Sequence, residues 1–147
     1  NIALPMLLGG QRGDGHDVAR LVTELGLDGI CRRRPDSMSG GEQQRVAIGR
    51  ALVTRPALVL ADEPTGSLDS INGRKLCDTF RRLCRENGTT VLMVTHNPAV
   101  AFAAEKILVI KDGRLVGQFP RSDFASVQDL GRHYLQIMES DREEVRA

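Results

Sequence analysis

Val18, Leu21, Val22 and Leu25 recur at helical spacing, with His16 and Asp17 ahead of them and Gly26 behind. The pattern predicts a helix over about 16–25 that stops at a glycine. Leu27–Ser37 then loses all periodicity: Gly29, the Arg32-Arg33-Arg34 run and Pro35 read as irregular chain, leading through Met38-Ser39-Gly40-Gly41 into a second helix. This helix, over 41–52, starts polar with Glu42, Gln43, Gln44 and Arg45 and ends apolar with Val46, Ala47, Ile48, Ala51 and Leu52. Its start is expected in water and its end in a core.

Ala57–Ala61 is a continuous apolar run between Pro56 and Asp62, and Thr89–Thr95 is a second run of the same kind. Each predicts a strand buried on both faces of a parallel sheet. Between them Leu76, Phe80 and Leu83 mark a helix ended by Gly88, giving the strand, helix, strand order of a right-handed crossover. Asn97-Pro98 opens another helix, predicted to run to about Glu105, with proline in the first turn where its missing N–H costs nothing. Lys106–Ile110 and Arg114–Gln118 flank Asp112-Gly113, a strong hairpin signal. Phe124, Val127, Leu130, Tyr134 and Met138 then describe a terminal amphipathic helix. The fold class is α/β.

With 147 residues, 41% hydrophobic and 27% charged, the chain is of the size and composition of about one globular domain. Twenty Lys and Arg against 19 Asp and Glu leave a net charge of +1, and aromatics make up 3% with no Trp. Neither a basic field nor a stacking platform is available, so no nucleic-acid partner is expected. The Arg32–Arg34 run reads as a solvated face. The longest apolar stretches, Ile2–Leu8 (interrupted by Pro5) and Ala99–Ala104, fall well short of the roughly 18 residues of a membrane span. A soluble chain is expected. Asn1 is not an initiator Met and no cationic segment precedes Ile2–Leu8, so the sequence reads as starting within a longer protein and not at a signal peptide. Cys31, Cys77 and Cys84 are odd in number and lack metal-ligand spacing, which fits a reducing compartment, with Cys77 and Cys84 as small buried hydrophobes.

Three places could carry chemistry. Ser39-Gly40-Gly41 opens a helix, where unpaired N–H groups and the positive dipole end favour an anion and glycines permit close approach. Taken without the neighbouring sequence, Ser39 reads first as a plain N-cap. Asp62-Glu63 ends the first buried strand, at the carboxyl edge of a parallel sheet where ligands sit. There Asp62 could serve a Mg²⁺ ion and Glu63 an attacking water, the alternative being a solvated acidic turn before Pro64. His96 follows the second strand and could bond a phosphate oxygen or the water, or be a structural histidine. His16 and His133 have no such setting and receive no role.

These segments together resemble the ABC-type ATPases. Met38-Ser39-Gly40-Gly41-Glu42-Gln43-Gln44-Arg45 resembles the family's signature motif, and Leu58-Val59-Leu60-Ala61-Asp62-Glu63-Pro64 its Walker B strand with the catalytic glutamate. Gly66-Ser67-Leu68-Asp69 is similar to the D-loop and Val94-Thr95-His96 to the switch histidine. Asn1-Ile2-Ala3-Leu4-Pro5, Ala61-Asp62-Glu63-Pro64-Thr65-Gly66 and Lys111-Asp112-Gly113-Arg114 look most like the branch of macrolide exporters, lipoprotein-release systems and the cell-division ATPase. The resemblance implies a P-loop NTPase-type, mostly parallel sheet flanked by helices. It reads residues 1–147 as one domain, with about 1–55 as helical subdomain and signature helix and about 56–147 as Walker B, D-loop, switch histidine and C-terminal part.

By the same resemblance, Ser39, Gly40, Gly41 and Glu42 would contact the γ-phosphate of ATP held by the opposite subunit of a head-to-tail dimer. Asp62 would serve Mg²⁺, Glu63 the water, His96 the γ-phosphate, and Asp69 communication across the dimer. Partners would be a second ATP-binding subunit and transmembrane permease subunits, at the cytoplasmic face of the cell membrane. The implied function is an ATPase powering export or lipoprotein release. The alternatives are a non-transport ABC ATPase of DNA repair, chromosomes or translation, and a non-catalytic remnant. Met38 stands where the family usually has Leu, Ser67 where this branch commonly has Asn, and Gly49 at a helix position often filled by Ala. No G-x-x-x-x-G-K-[ST] occurs in the 147 residues, so the domain reads as lacking its N-terminal P-loop portion, and the chain is expected to be inactive alone and to expose a sheet edge.

Overall fold

The computed structural model describes residues 1–10 and 15–144, with the side chains of His16 and of residues 140–144 outside the described ones. The chain divides into two compact units, Asn1–Val94 and Thr95–Ala147.

The first unit runs α1 (Leu4–Leu8), α2 (Gly15–Glu24), α3 (Gly40–Leu52), β1 (Leu58–Asp62), α4 (Ser70–Asn87) and β2 (Thr90–Val94). Leu21 and Leu25 project from the α2 stripe, Leu52 and Val53 close α3, Val59 comes from β1, and Leu76, Phe80 and Leu83 line α4. These side chains form one core, built from the positions that the periodicity marks. Helix α1 is an addition to the sequence reading. Pro5 lies in its first turn, where proline starts a helix instead of breaking one, and Ile2 and Met6 bury beneath it. Gly49 is explained by the same contact: a Cβ there would lie 3.0 Å from Leu25 Cδ1 and 3.1 Å from Ile2 Cδ1. Its missing methyl lets two neighbours approach α3. Helix α4 ends as the sequence indicates, with Gly88 in the left-handed region at φ 65°.

Strands β1 and β2 pair in parallel, Leu58 opposite Thr90 through Asp62 opposite Val94. The expectation of burial on both faces is corrected. Val59 is buried and Ala61, Val91 and Met93 are half-buried, but Leu58, Leu60, Leu92 and Val94 are exposed, Leu60 at 71%. Alternate residues of a strand point to opposite faces, so these two strands are covered on one face and open on the other among the described residues. Asp62 shares the open face with Leu58 and Leu60.

The second unit holds α5 (Pro98–Ala101), β3 (Lys106–Lys111), β4 (Arg114–Pro120) and α6 (Val127–Glu144). Helix α5 is shorter than its periodicity suggests, because after it the Ala103 and Ala104 amides bond three residues back, to the Val100 and Ala101 carbonyls, and the chain leaves as turns. β3 and β4 form the antiparallel hairpin, with Asp112 and Gly113 both at positive φ and an irregularity between Val109 and Ile110. Ile107, Phe124 and Leu130 make the small core here. Phe124 lies just ahead of α6, stacked edge-on with Phe119, and the His133 ring meets Phe119 at 4.7 Å between centroids. His133 is thus a packing residue.

Candidate functional site

Ser39 is the N-cap of α3. Its hydroxyl accepts the Glu42 N–H at 3.2 Å, and the Glu42 carboxylate accepts the Ser39 N–H at 2.7 Å, a reciprocal capping box. Both side chains therefore have a structural task at the helix mouth. The Ser39 hydroxyl accepts in the cap and so keeps its hydrogen to donate outward. The Gly40 and Gly41 amides, next in line, have no carbonyl of their own helix to reach. Gly41 is required by a close approach: a Cβ on it would lie 3.1 Å from the Ser67 carbonyl oxygen and 3.1 Å from Leu68 Cδ2. The start of α3 thus packs directly on the turn that follows β1.

That turn begins with Glu63, half-buried, at φ 43° in the left-handed region that non-glycine residues seldom occupy. Such a conformation persists only where neighbours fix it. The Glu63 N–H donates to the Val94 carbonyl at 2.9 Å, extending the β1–β2 pairing by one residue. Its carbonyl accepts the Gly66 N–H at 3.0 Å and the Gln44 side-chain amide, also at 3.0 Å. The Ser67 hydroxyl donates to the other end of that amide, Gln44 Oε1. Asp62, one residue earlier, is exposed at the end of β1. Gln44 was not singled out from the sequence. Its partners lie 19 and 23 residues away, and no local spacing signals them.

Asp69 closes the turn as the N-cap of α4, accepting the Ile71 and Asn72 N–H groups at 2.9 and 3.0 Å and the Asn72 side-chain amide at 2.5 Å. The Asn72 backbone N–H is the main reason its carboxyl is held below the ordinary 3.8. Glu42 is likewise held below its ordinary 4.5, first by the Ser39 N–H. A carboxylate with a depressed folded pKa stabilises the fold above its unfolded value, and the benefit is lost as pH falls towards the folded one. The melting temperature is therefore expected to fall as the pH drops through 4.5 and on below 3.8. Asp69→Asn, which still caps but cannot titrate, should flatten the lower part of that fall. Thermal melts across an acid pH series check this, and an unchanged profile for Asp69→Asn would contradict it.

His96 belongs to the second unit, exposed and two residues beyond Val94, the residue paired with Asp62. Beside it the Asn97 N–H donates to the Thr95 hydroxyl at 3.1 Å, and the Asn97 side chain caps α5 by accepting the Ala99 N–H at 2.9 Å. The structure thus gathers Ser39, Gly40, Gly41, Glu42, Asp62, Glu63 and Asp69 in the first unit and carries His96 on the chain that leaves β2.

A family model described as ABC transporter matches residues 5–66. The lipoprotein-releasing system ATP-binding protein LolD of Porphyromonas gingivalis is 42% identical over 120 residues, covering 80% of this chain and 55% of that protein. LolD of Aquifex aeolicus is 44% identical over 123 residues, covering 82% and 54%. The macrolide export ATP-binding/permease protein MacB of Chlorobaculum tepidum is 43% identical over 124 residues, 84% of this chain and 19% of MacB. A dimeric structure of the bacterial ABC transporter cassette MJ0796 superposes with a TM-score of 0.74 at 35% identity, over 82% of this chain and 54% of that one. The chain belongs to the ABC transporter ATP-binding family. It spans about half the length of the LolD relatives. A second structure of the MJ0796 cassette is a post-hydrolysis state bound to ADP and Pi, with the same TM-score of 0.74. Membership in the ABC family agrees with the α/β architecture, and the LolD and MacB relatives are of the lipoprotein-release and macrolide-export kinds that the sequence resembles.

Proposed function

We propose that this chain is part of the ATP-binding and hydrolysing subunit of an ABC transporter of the export or lipoprotein-release type, working as a head-to-tail dimer beneath transmembrane permease subunits. The observation that carries the reading is the packing of the α3 mouth against the Glu63–Asp69 turn. It sets a helix end of the kind that binds anions against the turn that begins at Glu63, whose backbone is hydrogen-bonded to Gln44. The names of the LolD and MacB relatives and the dimeric state of the MJ0796 cassette add to it.

In this reading Ser39, Gly40 and Gly41 bind the γ-phosphate of ATP held by the opposite subunit, through two backbone N–H donors and a hydroxyl, with the helix dipole favouring the negative charge. Glu42 keeps Ser39 oriented from the other side of the capping box. Glu63 accepts a proton from the attacking water, and His96 donates a hydrogen bond to the γ-phosphate. Asp69, fixed on α4, carries the dimer contact. Among the described residues no cluster of three or more His, Cys, Asp and Glu side chains is arranged to enclose a metal. A single exposed carboxylate at Asp62 still suits Mg²⁺, which keeps several waters and takes one or two carboxylates beside substrate phosphates. When bound, that ion would supply charge neutralisation to the phosphates. No described helix is long and apolar enough to cross a membrane, so attachment to the cytoplasmic face would run through the permease.

The test uses two preparations. The 147-residue chain, whose sequence has no P-loop, should show no Mg²⁺-dependent ATP hydrolysis. The complete protein carrying it should hydrolyse ATP and co-purify with a membrane permease. Turnover by the chain alone would show that the P-loop requirement is misjudged. Co-purification with ribosomes or DNA would replace transport with another ABC function, and an inactive complete protein would leave a non-catalytic remnant.

A further inference from the structure

Gln44 lies on the first turns of α3, outside the capping box and outside every residue given a chemical role above. Its side-chain amide nevertheless spans two segments. Nε2 donates to the Glu63 carbonyl at 3.0 Å, and Oε1 accepts from the Ser67 hydroxyl. The orientation of the amide is dictated by its partners: the Glu63 carbonyl can only accept, so the nitrogen must face it, and the oxygen is left for the hydroxyl. We infer that Gln44 is a positioning residue for Glu63, holding its backbone in the left-handed conformation and so setting where its carboxylate points. The inference rests on the proposed role of Glu63.

Three features support this assignment. Glu63, at φ 43°, sits in a region that a non-glycine residue holds only where its surroundings fix it. Of the contacts described for its backbone, the Val94 bond continues the β1–β2 pairing and the Gly66 bond closes the turn, while Gln44 adds a side-chain bond from helix α3. Gln44 is also one helical turn from the α3 mouth, and Gly41 is in contact with Ser67 and Leu68 of the same turn. A displacement of the helix mouth, where the γ-phosphate would bind, therefore reaches the Glu63 carbonyl through a single side chain. The serine at position 67 suits this bridge: its short hydroxyl reaches Oε1 and donates, as that oxygen requires.

The experiment compares Gln44→Met, which keeps the length and removes both polar atoms, with Gln44→Glu, which keeps an acceptor for Ser67 but sets an acceptor against the Glu63 carbonyl. Both are made in the complete protein. The expected result is a kcat for ATP hydrolysis lowered about 100-fold, the order of loss for a misplacement of about 1 Å, with KM for ATP and ATP-dependent dimerisation near those of the unaltered protein. Ser67→Ala, on an exposed turn, removes only the group that orients the amide and should lower kcat less, in the same direction. It keeps the question open to refutation if the helix variants fold poorly. Unaltered kcat in well-folded Gln44→Met or in Gln44→Glu overturns the inference, as does a parallel fall of kcat, ATP affinity and melting temperature, which would mark a merely structural residue. Where Glu63→Gln still hydrolyses ATP normally, the role of Glu63 fails first. Amide hydrogen exchange at Gly66 then decides for Gln44 separately, faster exchange in Gln44→Met supporting the clamp and unchanged exchange refuting it.

Discussion

Glu63→Gln in the complete protein should reduce steady-state phosphate release by at least about 100-fold, the lower end of what a positioned general base contributes, while ATP still brings two subunits together. The side chain keeps its length and its half-buried place after β1, and the backbone bonds to Val94, Gly66 and Gln44 do not involve the carboxylate. The substitution therefore removes a proton acceptor and keeps those three backbone bonds. Phosphate release measured under turnover, beside dimerisation measured by size-exclusion with ATP, separates the two. Normal release would remove Glu63 from the chemistry, and loss of ATP-dependent dimerisation would show that its charge serves binding.

Gly41→Ala should be the second severe change. The new methyl would sit 3.1 Å from the Ser67 carbonyl oxygen, which is backbone, and 3.1 Å from Leu68 Cδ2. The turn is closed by the Leu68 N–H on the Thr65 carbonyl at 3.0 Å, so it has little freedom to yield. The start of α3 must move instead. Turnover is expected to fall about 100-fold, since small misplacements at a reacting centre cost on that scale, and the melting temperature should fall with it. Gly40→Ala is the control. Its methyl would have nothing nearer than Ser67 Cβ at 3.8 Å, so stability should hold and only ligand approach should suffer. Equal melting temperatures for the two variants would contradict the packing argument.

Much of this architecture is written in short-range pattern. The two apolar runs become β1 and β2 to within one residue at each end, because Pro56 and Asp62 bound the first and Gly88 precedes the second. Their one-sided covering was not legible, since a continuous run of apolar residues looks the same whether one face or both are packed. Pro5 interrupts the apolar stretch in sequence yet lies in the first turn of α1, and the alanines after Val100 hide the early end of α5. At the site, the local devices were visible: Ser39 with Glu42 three residues on, and Asp69 ahead of a helix, are capping signals. Ser39 and Asp69 cap helices, and they are also residues that the resemblance assigns to nucleotide and dimer; the Ser39 hydroxyl accepts in its cap and keeps its hydrogen to donate. The long-range devices were invisible. The reach of Gln44 to Glu63 and the close approach of Gly41 to Ser67 depend on how α3 lies over the turn, and Glu63, at positive φ, is bonded to Gln44 and Val94, both distant in sequence.

Leu58, Leu60, Leu92 and Val94 form a row of oily side chains facing water across paired strands. Such a row rewards contact between molecules, so the solution behaviour of the 147-residue polypeptide should depend on how crowded it is. Dilute samples would scatter little light, and concentrated ones would turn cloudy, sooner in ammonium sulfate, which strengthens apolar association.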